Sequence, residues 1–127
     1  MDLPGGKLTA VYAEHTDDSC GLVVECGGLR VYNVGDSLYN EKLLGAGDAG
    51  IDLLLVPING KLGNMNVEEA ARLSKELSVR AAVPCHYDMF ADNTEDPEKF
   101  RALLEGSGVR YVELELNREY EVGAAAR

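Results

Sequence analysis

His15 in "AEHTDDSCG" and His86 in "VPCHYDMF" are the only imidazoles in the chain, and each follows an apolar stretch that reads as a strand. Asp36 has the same setting, because it follows "LRVYNV" and Gly35. Strand ends hold side chains rigidly at a sheet edge, where sites on layered α/β proteins collect. Two imidazoles and a carboxylate suit zinc or iron, and a carboxylate can bridge two ions through its oxygens. Each residue also has an ordinary reading. The histidines could be structural or surface residues, and Asp36 could close an Asx-turn with Ser37 and Leu38. Spacing does not choose between these readings.

The elements that would position the three are legible along the chain. "KLTAVYAE" (7–14) partly alternates and reads as a strand. "CGLVVEC" (20–26), Gly27-Gly28 and "LRVYNV" (29–34) read as a hairpin, since Gly-Gly admits the positive φ of a tight turn. A short helix is expected over 39–45. "IDLLLVPI" (51–58) and "RAAVPC" (80–85) are apolar without alternation, the pattern of strands covered on both faces. Asn66 and Glu69 can form a capping box for a helix over 67–77. Asp96 and Pro97 open another, with Phe100, Leu103 and Leu104 inside and Gly106 as the stop. "RYVELEL" (110–116) alternates as a half-exposed strand, "EYEV" (119–122) is expected to pair with it, and the tail "GAAAR" (123–127) is expected to fray.

Length and composition bound the function. A chain of 127 residues fits one domain, and 46% hydrophobic with 27% charged residues is a globular balance. The net charge of −10 argues against nucleic acid or an anionic membrane as partner. No run approaches the ~20 apolar residues of a membrane span, and the start carries no signal-peptide pattern. Cys20, Cys26 and Cys85 follow no metal-knuckle spacing and read as reduced thiols of a cytoplasmic protein.

Two helices can cover one face of a sheet, whereas 53–58 and 81–83 require cover on both. Burying about 400 Å² of apolar sheet is worth about 10 kcal/mol. A partner layer is therefore expected, supplied by a homodimer or a complementing polypeptide.

The strings "HTDDSCG", "YNVGDSLY", "LLLVPINGKLGNMNVEEAARL" and "VPCHYDMFADNTEDPEKF", in this order, resemble the C-terminal half of the metallo-β-lactamase superfamily. Within it they are most similar to the branch of ascorbate-6-phosphate lactonase. The likeness covers about residues 7–122, nearly the whole single domain 1–127. It implies an α/β fold: half of an αβ/βα sandwich, with one mixed sheet and helices on one face. It also implies a hydrolytic centre of one or two divalent ions (zinc, manganese or iron). His15 would bind the first metal, Asp36 would bridge, and His86 would bind the second. The metal would bring bound water towards neutral pKa for attack on a lactone, an ester or another polarised carbonyl of a small substrate, and would stabilise the oxyanion.

The superfamily's His-x-His-x-Asp-His cluster is not found before His15. The resemblance therefore implies that this chain binds metal weakly or not at all by itself and is weakly active or inactive without an upstream half. The alternative is a non-catalytic assembly or binding module that retains the half-fold. Asp18 and Asp88 are candidates for orienting the histidines, or else solvated loop acids. Cys85 is expected to point away from His86 and to pack. The glycine-rich loop 58–66 is a candidate pocket wall, and its Lys61 a candidate contact for an anionic substrate.

Overall fold

The computed structural model describes residues 1–125. Seven strands form one sheet in chain order: β1 (Asp2–Leu3), β2 (Gly6–Tyr12), β3 (Cys20–Cys26), β4 (Leu29–Asn33), β5 (Leu53–Pro57), β6 (Ala81–Cys85) and β7 (Arg110–Tyr111). Pairing is antiparallel from β1 to β4 and parallel from β4 to β7. The sheet is thus mixed and the class α/β, as expected. Parallel neighbours need a long return connection. Helices α1 (Val67–Glu76) and α2 (Pro97–Leu104) supply it after β5 and β6.

The two helices start where their caps dictate. Asn66 Oδ1 accepts from the Glu69 N–H at 2.9 Å and Glu69 Oε2 accepts from the Asn66 N–H at 3.0 Å, which completes the capping box. Asp96 Oδ1 accepts from the Glu98 N–H at 2.9 Å, one residue after Pro97. Both helices lay apolar residues on the same sheet face. A register row of Val23, Tyr32, Leu54 and Ala82 is buried there, with Ala70, Ala71 and Leu73 of α1 and Phe100 and Leu104 of α2 in the same core. Full burial of such a side chain contributes about 1.5–3 kcal/mol for Leu or Phe.

Local expectations are corrected here: Leu103, expected inside with Phe100 and Leu104, is exposed. The segment 39–45 is a 3-10 helix over Glu41–Gly47, capped by Asn40. The short strand β1, which has no sequence signal, pairs with β2. The strand expected over 110–116 is confined to Arg110–Tyr111, and 119–122 does not extend the sheet. Pro84 explains this truncation. The Val112 N–H donates to Ala82 O at 2.9 Å, and the next rung of a parallel ladder would need an N–H at residue 84, which proline lacks.

Freed from the ladder, residues 112–122 cross the second sheet face. Val112, Leu114 and Val122, the last at the start of α3 (Val122–Ala125), pack on Leu53, Ala81 and Val83. Part of the face expected to lack cover is therefore covered by the chain's own C-terminal segment. Over β2–β4 the same face shows Leu8, Leu22, Val24 and Val31 only half-buried. Of the tail expected to fray, 123–125 lie within α3, and 126–127 lie outside the described residues. Among the described residues no helix is long and apolar enough to cross a membrane.

Tyr32 gives a direct test of the core. Its hydroxyl is buried with no hydrogen-bond partner among the described residues, and burial pushes the phenol from 10.0 up to about 12. A buried unsatisfied hydroxyl costs about 1–3 kcal/mol. Tyr32→Phe is therefore expected to be at least as stable as wild type in chemical denaturation. The folded phenol keeps its proton at a pH where the unfolded one ionises. That contribution is whole below about pH 10 and is lost as pH rises towards 12. Tyr32→Phe removes this alkaline loss, and a variant destabilised by more than about 2 kcal/mol at neutral pH would show that the hydroxyl has a partner.

Candidate metal centre

Strand direction gathers the candidate residues. β3 runs against β2 and β4, so β2 and β4 run the same way, and the parallel pairings extend that direction to β5 and β6. The residues leaving the C-terminal ends of β2, β4, β5 and β6 all emerge on one sheet edge. These are His15, Asp36, the loop 58–66 and His86. Open α/β sheets bind ligands at this edge.

Asp36 lies between the two rings. Its Oδ1 is 3.2 Å from His86 Nδ1 and its Oδ2 is 3.8 Å from His15 Nε2. Gly35 turns the chain into this position with φ +71, where an added Cβ would stand 3.2 Å from Cys20 O. The Gly35 N–H donates to Asn33 Oδ1 at 3.0 Å. His86 has a left-handed backbone, φ +63, a conformation uncommon for a non-glycine residue and one that clusters at functional sites.

A buried polar bracket ties the loops together. Ser37 is fully buried and Asn64 is 6% exposed. Ser37 Oγ accepts from the Glu14 N–H at 2.9 Å, and the Ser37 N–H donates to Asn64 Oδ1 at 3.0 Å. The Met65 N–H then donates to Ser37 O at 2.7 Å. Asn64 Nδ2 lies 3.4 Å from His86 Nδ1, and the Gly63 carbonyl 3.1 Å from His15 Nδ1. Beside His15, Glu14 accepts from the Tyr12 hydroxyl and the Asn40 amide. These hydrogen bonds, Tyr12's foremost, hold the Glu14 carboxyl below its ordinary range.

The other sequence candidates sit apart from this bracket. Asp18 is exposed in the turn where the Ser19 N–H donates to Thr16 O, and the Asp88 N–H donates to Thr94 Oγ1 at 2.8 Å. The ring contacts come instead from Gly63 and Asn64, inside the loop read as a pocket wall. In a glycine-rich loop an asparagine reads as a turn residue, and its burial is the signal that sequence does not carry. Cys85 follows Val83 by one pleat, and burial pushes its thiol up to about 11. That favours an inert packed thiol over a thiolate ligand. Lys61 Nζ donates to Asp92 O at 2.7 Å, bracing one loop against another.

The three residues floor a cleft of about 470 Å³ whose rim carries Leu62, Met89 and Phe90, all strongly exposed. The donor set has the chemistry of a divalent-ion site: two imidazole nitrogens and a carboxylate facing one space. It is not a complete one. Among the described residues, no group of three or more His, Cys, Asp or Glu is arranged to hold an ion by itself.

A family model described as a Beta-lactamase superfamily domain matches residues 2–87. A UPF0173 metal-dependent hydrolase of Thermococcus onnurineus is 33% identical over 113 residues, covering 81% of this chain and 50% of that protein. One from Deinococcus radiodurans is 42% identical over 89 residues, covering 70% and 39%. The chain thus spans half or less of the length of these relatives. Among solved structures, the metallo hydrolase Igni18 of Ignicoccus hospitalis superposes with a TM-score of 0.80 at 24% identity, over 93% of this chain and 55% of that one. The metallo-β-lactamase fold protein YhfI of Bacillus subtilis gives 0.72 at 20%, over 89% and 48%. Identities this low speak to fold alone. Fold and sheet edge agree with the family match, and the chain belongs to the metallo-β-lactamase superfamily, with UPF0173 metal-dependent hydrolases among its relatives.

Proposed function

We propose that this chain contributes part of the centre of a metal-dependent hydrolase acting on a neutral lactone or ester. His15 and His86 are its metal ligands, and Asp36 is the carboxylate between them. The observation that carries the reading is the contact of one carboxylate with both rings, at 3.2 and 3.8 Å. A divalent ion held there supplies an acidified water and polarises the substrate carbonyl. The chain's own part is to present the three donors, to hold both rings through Gly63 and Asn64, and to shield one side of the cleft with Leu62, Met89 and Phe90. Among the described residues no lysine or arginine lines the cleft, and Lys61 is turned to Asp92. The chain's own lining therefore offers a substrate phosphate no lysine or arginine, which favours the neutral end of the lactone and ester class.

Shared between two ions, the three donors give each one imidazole and one carboxylate oxygen, short of the three protein ligands of a catalytic site, so metal binds weakly to this chain alone and firmly once a second polypeptide adds ligands. Zinc titrated into the 127-residue chain, with and without an added upstream half, tests this by bound stoichiometry. A second reading, a non-catalytic assembly module, is favoured by the lack of a self-sufficient ion-holding group among the described residues. Zinc uptake that ignores His15→Ala and His86→Ala in the completed assembly would select it.

Self-association belongs to the same proposal. The half-buried Leu8, Leu22, Val24 and Val31 on β2–β4 form an apolar face that a second copy can cover by two-fold symmetry. Sedimentation at micromolar concentration is expected to show a dimer burying more than about 1,000 Å². A monomer whose hydrodynamics do not change with concentration would remove it.

A further inference from the structure

Leu62, Met89 and Phe90 are between 65% and 76% exposed, and they come from two separate loops to line the same cleft as His15, Asp36 and His86. Large apolar side chains left in water forgo the stabilisation of burial. A cluster of them beside a cleft marks a surface that something covers. We propose, resting on the metal-centre reading above, that these three side chains are a subsite for an alkyl chain carried by the substrate next to its scissile carbonyl. The substrate class is then a lactone or ester with an apolar tail rather than a small bare ring.

The rim is braced, so the exposure of these side chains is not that of loose loop tips. Lys61 Nζ donates to Asp92 O at 2.7 Å and Asn59 Nδ2 donates to Asn93 Oδ1 at 2.7 Å, two links between loop 58–66 and the loop after β6. Within the second loop the Asp88 N–H donates to Thr94 Oγ1 at 2.8 Å and the Asn93 N–H to Phe90 O at 3.1 Å. Leu62 has φ +53, a left-handed backbone uncommon for a residue with a bulky side chain. Such strain persists only where the surroundings impose it, and it clusters at ligand clamps. It accompanies a side chain that lines the cleft and stays out of the core.

Size and lining select a small molecule as the occupant. A volume of about 470 Å³ is in the range of pockets for small organic ligands, which combine an apolar lining with a few convergent polar groups. The polar groups are the three donors with Asn64 and Asn93, and the apolar ones are Leu62, Met89 and Phe90. A carbonyl placed at the donors therefore has its substituent within reach of the apolar rim. Among the described residues the lining holds no lysine or arginine, so it offers an anionic tail no partner. Methionine and leucine adapt to a flexible chain, and Phe90 adds a ring face. A protein partner would call for an apolar surface of interface size, whereas these three side chains gather around one small concavity.

Methyl NMR of the metal-free chain, with carbon-13 at the methionine methyl groups, tests this. The chain has three methionines. Met89 reports the rim, fully buried Met65 reports the core, and exposed Met1, held against Leu8 of β2, reports another surface. Titration with γ-decalactone is expected to shift Met89 and leave Met1 unmoved. Its apparent affinity should be at least about tenfold tighter than that of γ-butyrolactone, the same neutral ring without the hexyl tail, since burying about two methylenes suffices for that factor. In the double variant Leu62→Asn with Phe90→Ser, asparagine suits the left-handed backbone. That variant should bring the two lactones to within about threefold of each other, with Met65 at its wild-type shift. Equal affinity for the two lactones, a Met89 methyl that ignores γ-decalactone, or a preference that survives the double variant would each overturn the proposal. A Met89 signal that moves with protein concentration before any lactone is added would assign the rim to a second copy, and overturn it too. The wild-type comparison of the two lactones decides whether or not the variant folds. Because no metal is added, zinc uptake through His15 and His86 is a separate measurement, which tests the reading on which the subsite rests.

Discussion

Loaded with zinc or manganese, the 127-residue chain is expected to hydrolyse generic lactones and aryl esters barely faster than buffer. Turnover should rise by more than about a hundredfold when a second polypeptide supplies further histidine and aspartate ligands. The reason is the donor count. Asp36 and the two histidines converge, but no self-sufficient ion-holding group is present among the described residues. Loss of a supporting residue outside the ligand shell already costs about 10–100-fold in metal affinity or activity, so a deficit in the ligands themselves costs more. His86→Ala in the completed assembly should return turnover to the level of the chain alone. The decisive contrary result is rapid turnover by the chain without a second protein, lost in His86→Ala. That would show that three donors suffice.

The largest effect on stability is expected at Phe100. Its side chain is fully buried, and its ring meets Tyr111 edge-on at 6.2 Å between centroids. It anchors α2, an eight-residue helix too short to persist without tertiary packing. Phe100→Ala should cost about 3–5 kcal/mol, against a total of about 5–15 kcal/mol for a domain. The melting temperature should fall by on the order of 10–20 °C. Leu103, one turn-face away and 36% exposed, is the control: Leu103→Ala should cost less than about 1.5 kcal/mol, because less surface returns to water. Equal effects from the two variants would mean that α2 is not seated on the sheet through Phe100.

Local rules reach far into this molecule. The Gly27–Gly28 hairpin, the Asn66–Glu69 capping box and the Asp96–Pro97 helix start are each written within a few residues, and the structure builds each one. The buried parallel strands β5 and β6 are equally plain, since an apolar run without alternation has no solvated face. The positions of His15, Asp36 and His86 after strands were also legible, although their contacts were not. A contact between residues so far apart in the chain depends on the common direction of β2, β4 and β6, and pairing partners and direction are settled only when the sheet assembles.

Where the sequence signal failed, a distant neighbour had decided the outcome. "RYVELEL" alternates like a strand, yet Pro84 in the adjoining strand withholds the N–H that would extend its ladder, and the segment turns to cover the second face instead. Asn64 looks like a loop residue, yet the Ser37 N–H and His86 ring that make it a buried bracket arrive from other strands. By itself the sequence determined the local elements, the family and the residue types able to bind metal, because caps, turns and apolar patterns act over a few residues. Only the tertiary structure decided how far the sheet ladder runs, what lies on its second face and which atoms face Asp36, because those depend on hydrogen bonds between segments that meet only in the fold.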